Sequence, residues 1–424
     1  MASNTWFRLD TAALIFPAIM RRDWCNVFRV SATLRDPIDP EVLQQAADDL
    51  RARFPSYYVC LGRGLFWYYL ETSHERVTVR RDYAYPLAFM SRSELRRNGL
   101  RILYHENRIA VEFFHAITDG QGGSIFLQNL LARYLTLRYG IPEQLSDTIL
   151  PLGEEPREEE LEDSFWKYAA QIPAHGKEPK SYRLRGDKEP DGFKHLITGI
   201  ADCDKLLDAA HSYGVSVTSF LTAVMVKCVI GLQEEQSIRR RKKPVRITVP
   251  LDLRRLYGSR TLRNFTLVLN PGVDPNFGEY SFAELCRVVS HQLAAYAVPQ
   301  YMAGQMAANV QPQRNRIIAA TPLFFKNFVM NIVYLYRGEN GGSLNVSNLG
   351  LMTLPEAMRE YVERFEFIIG TQRSYPNNCS VISYGGKAFI NMIRNIRQSE
   401  LERRFFSTLV ELGVPVYIES SDRL

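Results

Sequence analysis

The sequence predicts an α/β protein, with α+β-type mixed sheets, built in two halves. Three observations lead there. Short runs of strand character interleave with amphipathic helical runs on both sides of the chain's middle. At 424 residues the chain is too long for one ordinary core, so two domains are expected. Between about Gly140 and Lys194 the composition turns polar, with a strongly acidic Glu154–Glu162 and a Pro-, Gly- and Lys-bearing Pro173–Pro190. Such a stretch suits a linker or surface crossover, which sets the halves at 1–175 and 176–424.

In the first half, Val27–Leu34 has strand character and Pro37–Pro40 turns the chain. Asp39-Pro40-Glu41 starts a helix to about Arg53, with Pro at its first position. Tyr57–Leu61 and Leu65–Leu70 flank Gly62-Arg63-Gly64 as a hairpin, and Val77–Arg81 is a further short strand. Leu100–Tyr104 and Arg108–Phe114 form a second hairpin across His105-Glu106-Asn107, and Ile125–Tyr139 is a helix closing at Gly140.

The second half opens with a strand, His195–Ala201, a helix to Tyr213 stopped by Gly214, and an apolar helix, Val217–Leu232. Val245–Leu251 and Leu262–Leu269 read as strands, and Ser281–Tyr296 as a helix. Ser343–Val346, Phe365–Ile369, Asn378–Ser383 and Ala388–Ile393 are strands, and Ser399–Leu412 is a closing helix. No short-period repeat is present.

Apolar residues make up 46% and charged residues 23%, ordinary for a globular protein. Aromatics at 12% suit broad cores and an apolar cleft. The formal charge of +6 favours an anionic cofactor or acidic partner and is too small to argue for nucleic acid. Cys25, Cys60, Cys203, Cys228, Cys286 and Cys379 are scattered without a C-x-x-C pair, so buried thiols are expected rather than zinc or a disulfide framework. No signal peptide is seen, and no apolar run reaches the roughly 18 residues of a membrane span. The longest are Val215–Leu232, interrupted by Lys227, and Thr321–Tyr336, interrupted by Lys326 and Asn327. The second is read as a core helix, with a place against a membrane surface as the alternative. A cytoplasmic, monomeric protein is expected, without a transmembrane segment.

The candidate site is the stretch from Arg108 to Ser124. A strand ends at His115, a tight turn carries Asp119 and Gly120, and a helix follows. Neutral imidazole titrates near working pH, so His115 is the leading general base. Asp119 is read as holding the turn by pairing with an arginine, and Gly120 as permitting the backbone there. The competing reading is a hydrogen-bonded strand-end histidine. Residue frequencies give H-x-x-x-D-G by chance about 0.02 times in such a chain. No G-x-S-x-G elbow supports a serine nucleophile.

His115-Ala-Ile-Thr-Asp119-Gly120 resembles the H-x-x-x-D-G motif of the coenzyme A-dependent acyltransferase superfamily. That superfamily takes in chloramphenicol acetyltransferases, peptide-synthetase condensation domains and alcohol acyltransferases, and the alcohol acetyltransferase branch is the most similar. The common tandem histidine is replaced by Phe114 at its first position. Ala210–Thr218 resembles the opening of the superfamily's second half. Val249–Arg255 with Thr261–Phe265 is similar to a strand segment of the alcohol acetyltransferases, and Asn345–Gly350 to their crossover strand.

The resemblance implies two chloramphenicol-acetyltransferase-like domains forming a V, with a tunnel between them whose two ends admit donor and acceptor to His115. Asp119 would be structural, paired with Arg254, with Arg263 behind it. Asn264, Ser347 and Asn348 would make polar contacts to the donor or the oxyanion, against strand-end hydrogen bonding as the plainer role. The implied function is transfer of an acetyl or short acyl group from acyl-CoA to a small alcohol by direct attack, with His115 as general base. No tightly bound cofactor is implied, and acetyl-CoA is a co-substrate. The alternatives are a condensation-type enzyme served by an acyl carrier protein, making an ester or an amide from an amine acceptor, and a non-catalytic binding module. Arg239–Lys243 is a candidate contact for coenzyme A phosphates or an acidic carrier, against a solvated loop.

Overall fold

The computed structural model describes residues 6–21, 26–83, 85–173, 180–236, 242–333 and 341–421. A short strand β1 (Trp6–Arg8) leads to a one-turn helix α1 (Phe16–Ile19) and to β2 (Val27–Leu34). Helix α2 (Pro40–Asp49) starts where Pro40 predicts, because the Asp39 side chain accepts from the N–H groups of Glu41 and Val42. The hairpin β3 (Val59–Arg63) and β4 (Tyr68–Thr72) takes β1 on its open edge. Of the strand expected at Val77–Arg81 only β5 (Arg80–Arg81) forms. It is followed by β6 (Leu100–His105), β7 (Arg108–Phe114) and helix α3 (Gly120–Tyr139), which ends at Gly140 with φ +71°.

The second half runs β8 (His195–Asp202), α4 (Cys203–Ser212), α5 (Val217–Gln236), β9 (Val245–Arg246), β10 (Val249–Asp252), β11 (Thr266–Leu269) and β12 (Gly272–Val273). Helices α6 (Phe282–Tyr296), α7 (Pro299–Arg314), α8 (Arg316–Ala320) and α9 (Leu323–Val333) follow. The chain closes with β13 (Val346–Leu351), β14 (Val362–Ile369), β15 (Asn377–Tyr384), β16 (Lys387–Arg394), α10 (Glu400–Glu411) and β17 (Val416–Ser420).

Two five-stranded mixed sheets result, ordered β14-β2-β7-β6-β5 and β13-β15-β16-β8-β17. The first is completed from the second half: β14 pairs antiparallel with β2, Phe365 opposite Ala32. Asn345–Gly350, expected as the crossover strand, instead starts β13, parallel to β15 in the second sheet. The crossing is made by β14, one strand later in the chain.

Helix α3 packs its apolar side chains against the first sheet, where Phe113 meets Tyr57 at 5.2 Å and Phe126 at 5.5 Å between ring centres. Each such buried ring contributes about 1.5–3 kcal/mol through surface removed from water. Helix α5 fills the second core with Phe220, Leu221 and Val224, all fully buried, beside Phe405 and Leu409. Its segment Val217–Glu235 has the length and mean hydropathy, 1.4, of a bilayer span, but 67% of its most apolar window is buried inside the protein. Cys60, Cys228, Cys286 and Cys379 are buried, and burial pushes their thiols up to about 11 or 12. Cys25 lies outside the described residues.

Three further expectations change for physical reasons. Val245–Leu251 is split, because β9 pairs with β12 and β10 with β11, and Ile247 and Thr248 bridge to other segments. Leu262–Phe265 stays out of β11, because Leu262 O accepts from Thr118 and Tyr57, Arg263 O accepts from Arg254, and Phe265 N donates to Asp119. The apolar run Thr321–Tyr336 is not a core helix: in its described part, α9, Phe324 and Phe328 are 70% and 64% exposed. Residues 334–336 of that run lie outside the described residues, as do Arg239–Arg241 of the basic loop. Lys242 of that loop pairs with Glu234 at 2.7 Å.

Candidate active site

β7 lies between β2 and β6 in the middle of the first sheet and ends at Phe114. His115 is the next residue, its N–H donating to Asn26 O at 2.8 Å. Ile117 N donates back to Phe114 O at 2.9 Å, closing the turn. Helix α3 then begins at Gly120, five residues earlier than the apolar pattern predicts. Asp119 is its N-cap, accepting from Gly122 N at 3.1 Å.

Asp119 is buried and accepts four further bonds. Arg254 Nη1 and Nη2 reach its two oxygens at 2.9 Å each, Phe265 N donates at 2.8 Å and Thr266 Oγ1 at 3.0 Å. Burial pushes the carboxyl up, but the Arg254 charge and these bonds outweigh it, and its pKa is lowered. Arg254 uses all five N–H donors, two on Asp119 and one each on Asp252 Oδ1, Thr261 O and Arg263 O. One ion pair thus ties the motif to residues 252–266 of the other half. Arg263, the second candidate partner, does not pair with Asp119. Its guanidinium lies 3.9 Å from Asp10 and donates to Arg8 O.

Asn264 is turned onto the histidine. Its Oδ1 lies 3.0 Å from His115 Nδ1, while Nδ2 donates to His115 O at 3.0 Å and to Asp10 Oδ2 at 3.0 Å. Both amide hydrogens are taken, so Oδ1 faces Nδ1 as an acceptor, and the network assigns the proton to Nδ1. Nε2 is left with the lone pair and has no protein partner among the described residues. The Phe16 ring stacks on the imidazole at 4.9 Å and Phe28 meets it edge-on at 5.1 Å. Burial lowers the His115 pKa, against the opposing pull of its own backbone, Asp119 and Asn264.

Gly120 has ordinary helical backbone, so its need is space: a Cβ there would lie 2.9 Å from Leu349 and 3.1 Å from Phe367. Leu349 brings β13 beside the first turn of α3. On that strand Asn348 Nδ2 donates to Thr218 Oγ1 at 3.1 Å, and Asn348 Oδ1 accepts from Gly350 N at 2.8 Å, holding a bulge. Ser347 is buried on the same strand.

Sequence reasoning missed Asp10, Phe16, Phe28 and Tyr57. Tyr57 Oη donates to Leu262 O at 2.8 Å, beside Thr118 Oγ1, which donates to the same carbonyl at 2.6 Å. Asp10 is fully buried, and burial raises its carboxyl to about 7, with Asp163 adding to the effect and Arg263 opposing it. Leu9-Asp10-Thr11 carries no motif, and only the fold sets Asp10 against Asn264.

The architecture is that of the two-domain α/β proteins shared by acyltransferases and condensation domains. No protein-family model matches the sequence, and no curated protein matches it. Among solved structures, the chain is similar to Fusarium graminearum TRI101 complexed with coenzyme A and deoxynivalenol, at 10% identity over 97% of this chain and 99% of that one, with a TM-score of 0.66. The trichothecene 15-O-acetyltransferase TRI3 of Fusarium sporotrichioides matches at 10% identity over 97% and 94%, with a TM-score of 0.61. The epimerization domain of the third module of tyrocidine synthetase B matches at 11% identity over 96% of each chain, with a TM-score of 0.58.

Proposed function

We propose that the protein is an acyltransferase, moving an acetyl or short acyl group from acyl-CoA to an alcohol. The observation that carries this is the imidazole at a strand end whose Nδ1 is fixed by Asn264 at 3.0 Å while Nε2 has no partner among the described residues. Nε2 takes the acceptor's hydroxyl proton as its oxygen adds to the thioester carbonyl. The tetrahedral oxyanion collapses, the carbon–sulfur bond breaks, and the leaving thiolate takes the proton back from the imidazolium. No bond to the enzyme forms. Ser347 and Asn348 are the candidates for donating to the oxyanion. Asn264 has no hydrogen to spare and is assigned to orienting His115. Asp119 and Arg254 hold the two units together, at 1–175 and 176–424, with Val362–Ile369 lent to the first sheet. The structural neighbour holding coenzyme A supports a thioester donor.

The test is free-thiol release from acetyl-CoA over a panel of alcohols and amines, comparing wild type with His115→Ala. A loss of about 10²–10⁴-fold is expected. Retention of most activity by the variant contradicts the reading. Turnover with an acyl carrier protein but with no acyl-CoA redirects it to the condensation type.

A further inference from the structure

Helix α9 is amphipathic in the reverse sense. Its polar side chains point inward and fasten it to the protein: Lys326 Nζ donates to Phe66 O and Ala319 O at 3.0 Å, Asn327 Nδ2 to Tyr68 Oη at 3.0 Å, and Asn331 Nδ2 to Ala18 O at 2.9 Å. Its apolar side chains face water, with Phe324, Phe325, Phe328 and Val329 at 70%, 58%, 64% and 54% exposure. The surface continues on both sides. Leu323 N donates to Leu65 O at 2.8 Å, which seats the β3–β4 turn against the helix, and Leu65 is 70% exposed. On α8, Ile317 is 80% exposed. A contiguous face of this kind is costly in water and marks a contact surface.

The charged side chains carried by these three segments are of one sign. Arg63 precedes the β3–β4 turn tip and Arg316 precedes Ile317. Both are exposed, and neither forms an ion pair among the described residues. No Asp or Glu occurs between Glu284 and Glu339, nor from Leu61 to Leu70. An isologous contact with a second copy would set these arginines against a face with no carboxylate of its own to meet them. Anionic headgroups above an acyl layer match both the cations and the rings.

We propose that the β3–β4 turn, α8 and α9 form a docking face for a lipid surface bearing anionic headgroups. Helix α9 is packed on α1, the helix that carries Phe16 over His115, so a docked bilayer lies one helix away from the imidazole.

The test is sedimentation of the full chain with vesicles of phosphatidylcholine, with and without phosphatidylglycerol. Wild type sediments with the anionic vesicles, less so at high salt. Phe324→Ser/Phe328→Ser stays in the supernatant. Arg63→Ala/Arg316→Ala binds anionic vesicles about 30-fold more weakly, at roughly tenfold per 1.4 kcal/mol and about 1 kcal/mol per arginine. Both variants keep the wild-type melting temperature, because the changed side chains are exposed. The proposal is overturned if wild type ignores both vesicle types, or if the variants sediment as wild type does. It is also overturned if wild type is a dimer that the phenylalanine variant makes monomeric without any vesicle binding, since a second copy then covers the face.

Discussion

Asn264 Oδ1 and His115 Nδ1 lie 3.0 Å apart, although 149 positions separate them and they come from different halves of the chain. The bond fixes the ring's tautomer and its plane. Behind it Asp10 fixes the amide, so the base is oriented through two residues rather than by a carboxylate at its side.

Replacing Asn264 by Ala frees the ring and the Nδ1 proton. Thiol release should fall by about 10–100-fold, the size of effect seen when the partner that orients a metal-bound histidine is lost, with little change in KM. Asn264→Asp keeps an acceptor at the same place but adds a charge beside the ring. The cation is then favoured, and the acid limb of the rate profile moves to higher pH.

The pH profile itself follows from burial. The imidazole must be neutral to accept a proton, and burial disfavours its cation. The acid limb of kcat/KM should therefore lie below the ordinary histidine value of about 6.5. Phe16→Ala opens the ring to water and should move that limb up toward 6.5. An unchanged profile would show that Phe16 does not shield the base.

Asp119→Ala removes the bidentate partner of the buried Arg254 guanidinium and leaves it only the partly exposed Asp252, at a cost of about 3 kcal/mol. Because the folded pKa of Asp119 is lowered, its stabilisation is present above about 4 and is lost as pH falls through the folded value. Thermal unfolding of the variant should show a lower midpoint at neutral pH and a flatter dependence in acid. A wild-type melting curve would refute the bracing role.

Gly122→Ala should destabilise by about 1–3 kcal/mol through overpacking. The new Cβ would lie 2.1 Å from Thr118 Oγ1 and 2.5 Å from Leu262 O. Gly153→Ala, with nothing within 4 Å of the new carbon, is the control and should leave the melting temperature where it is.

Strands β2, β7 and β16 and helices α2 and α6 were legible because their periodicity and end signals are local. Asp39-Pro40 stops and starts the chain by itself, and Ser281 with Glu284 closes a capping box. Helix α3 was read five residues short because Gly120, Gly122 and Gly123 look like a turn. They are helical because Asp119 caps them, and they are glycine because neighbours press too closely for any side chain. Leu262–Phe265 looked like the start of a strand because it runs into Thr266–Leu269 and the stop at Asn270-Pro271-Gly272, and nothing local reveals that its peptide groups are used by Thr118, Asp119 and Tyr57. For α9 the apolar pattern was correct and its direction was not. Periodicity gives the existence of an apolar face but not which way it turns, and here inward bonds from Lys326, Asn327 and Asn331 decide it.

The sequence by itself determined many of the strands and helices, the two-half plan and the strand–histidine–turn–helix stretch, since each depends on residues a few positions apart, while Trp6–Arg8, Pro299–Arg314 and Val416–Ser420 were not read from it. Only the tertiary structure decided what surrounds the histidine. Asp10, Asn264 and Arg254 reach the motif across 105, 149 and 135 or more positions of chain, and no local signal encodes a contact of that span. The lending of β14 to the first sheet is of the same kind, because strand pairing is satisfied wherever an edge of matching register is offered.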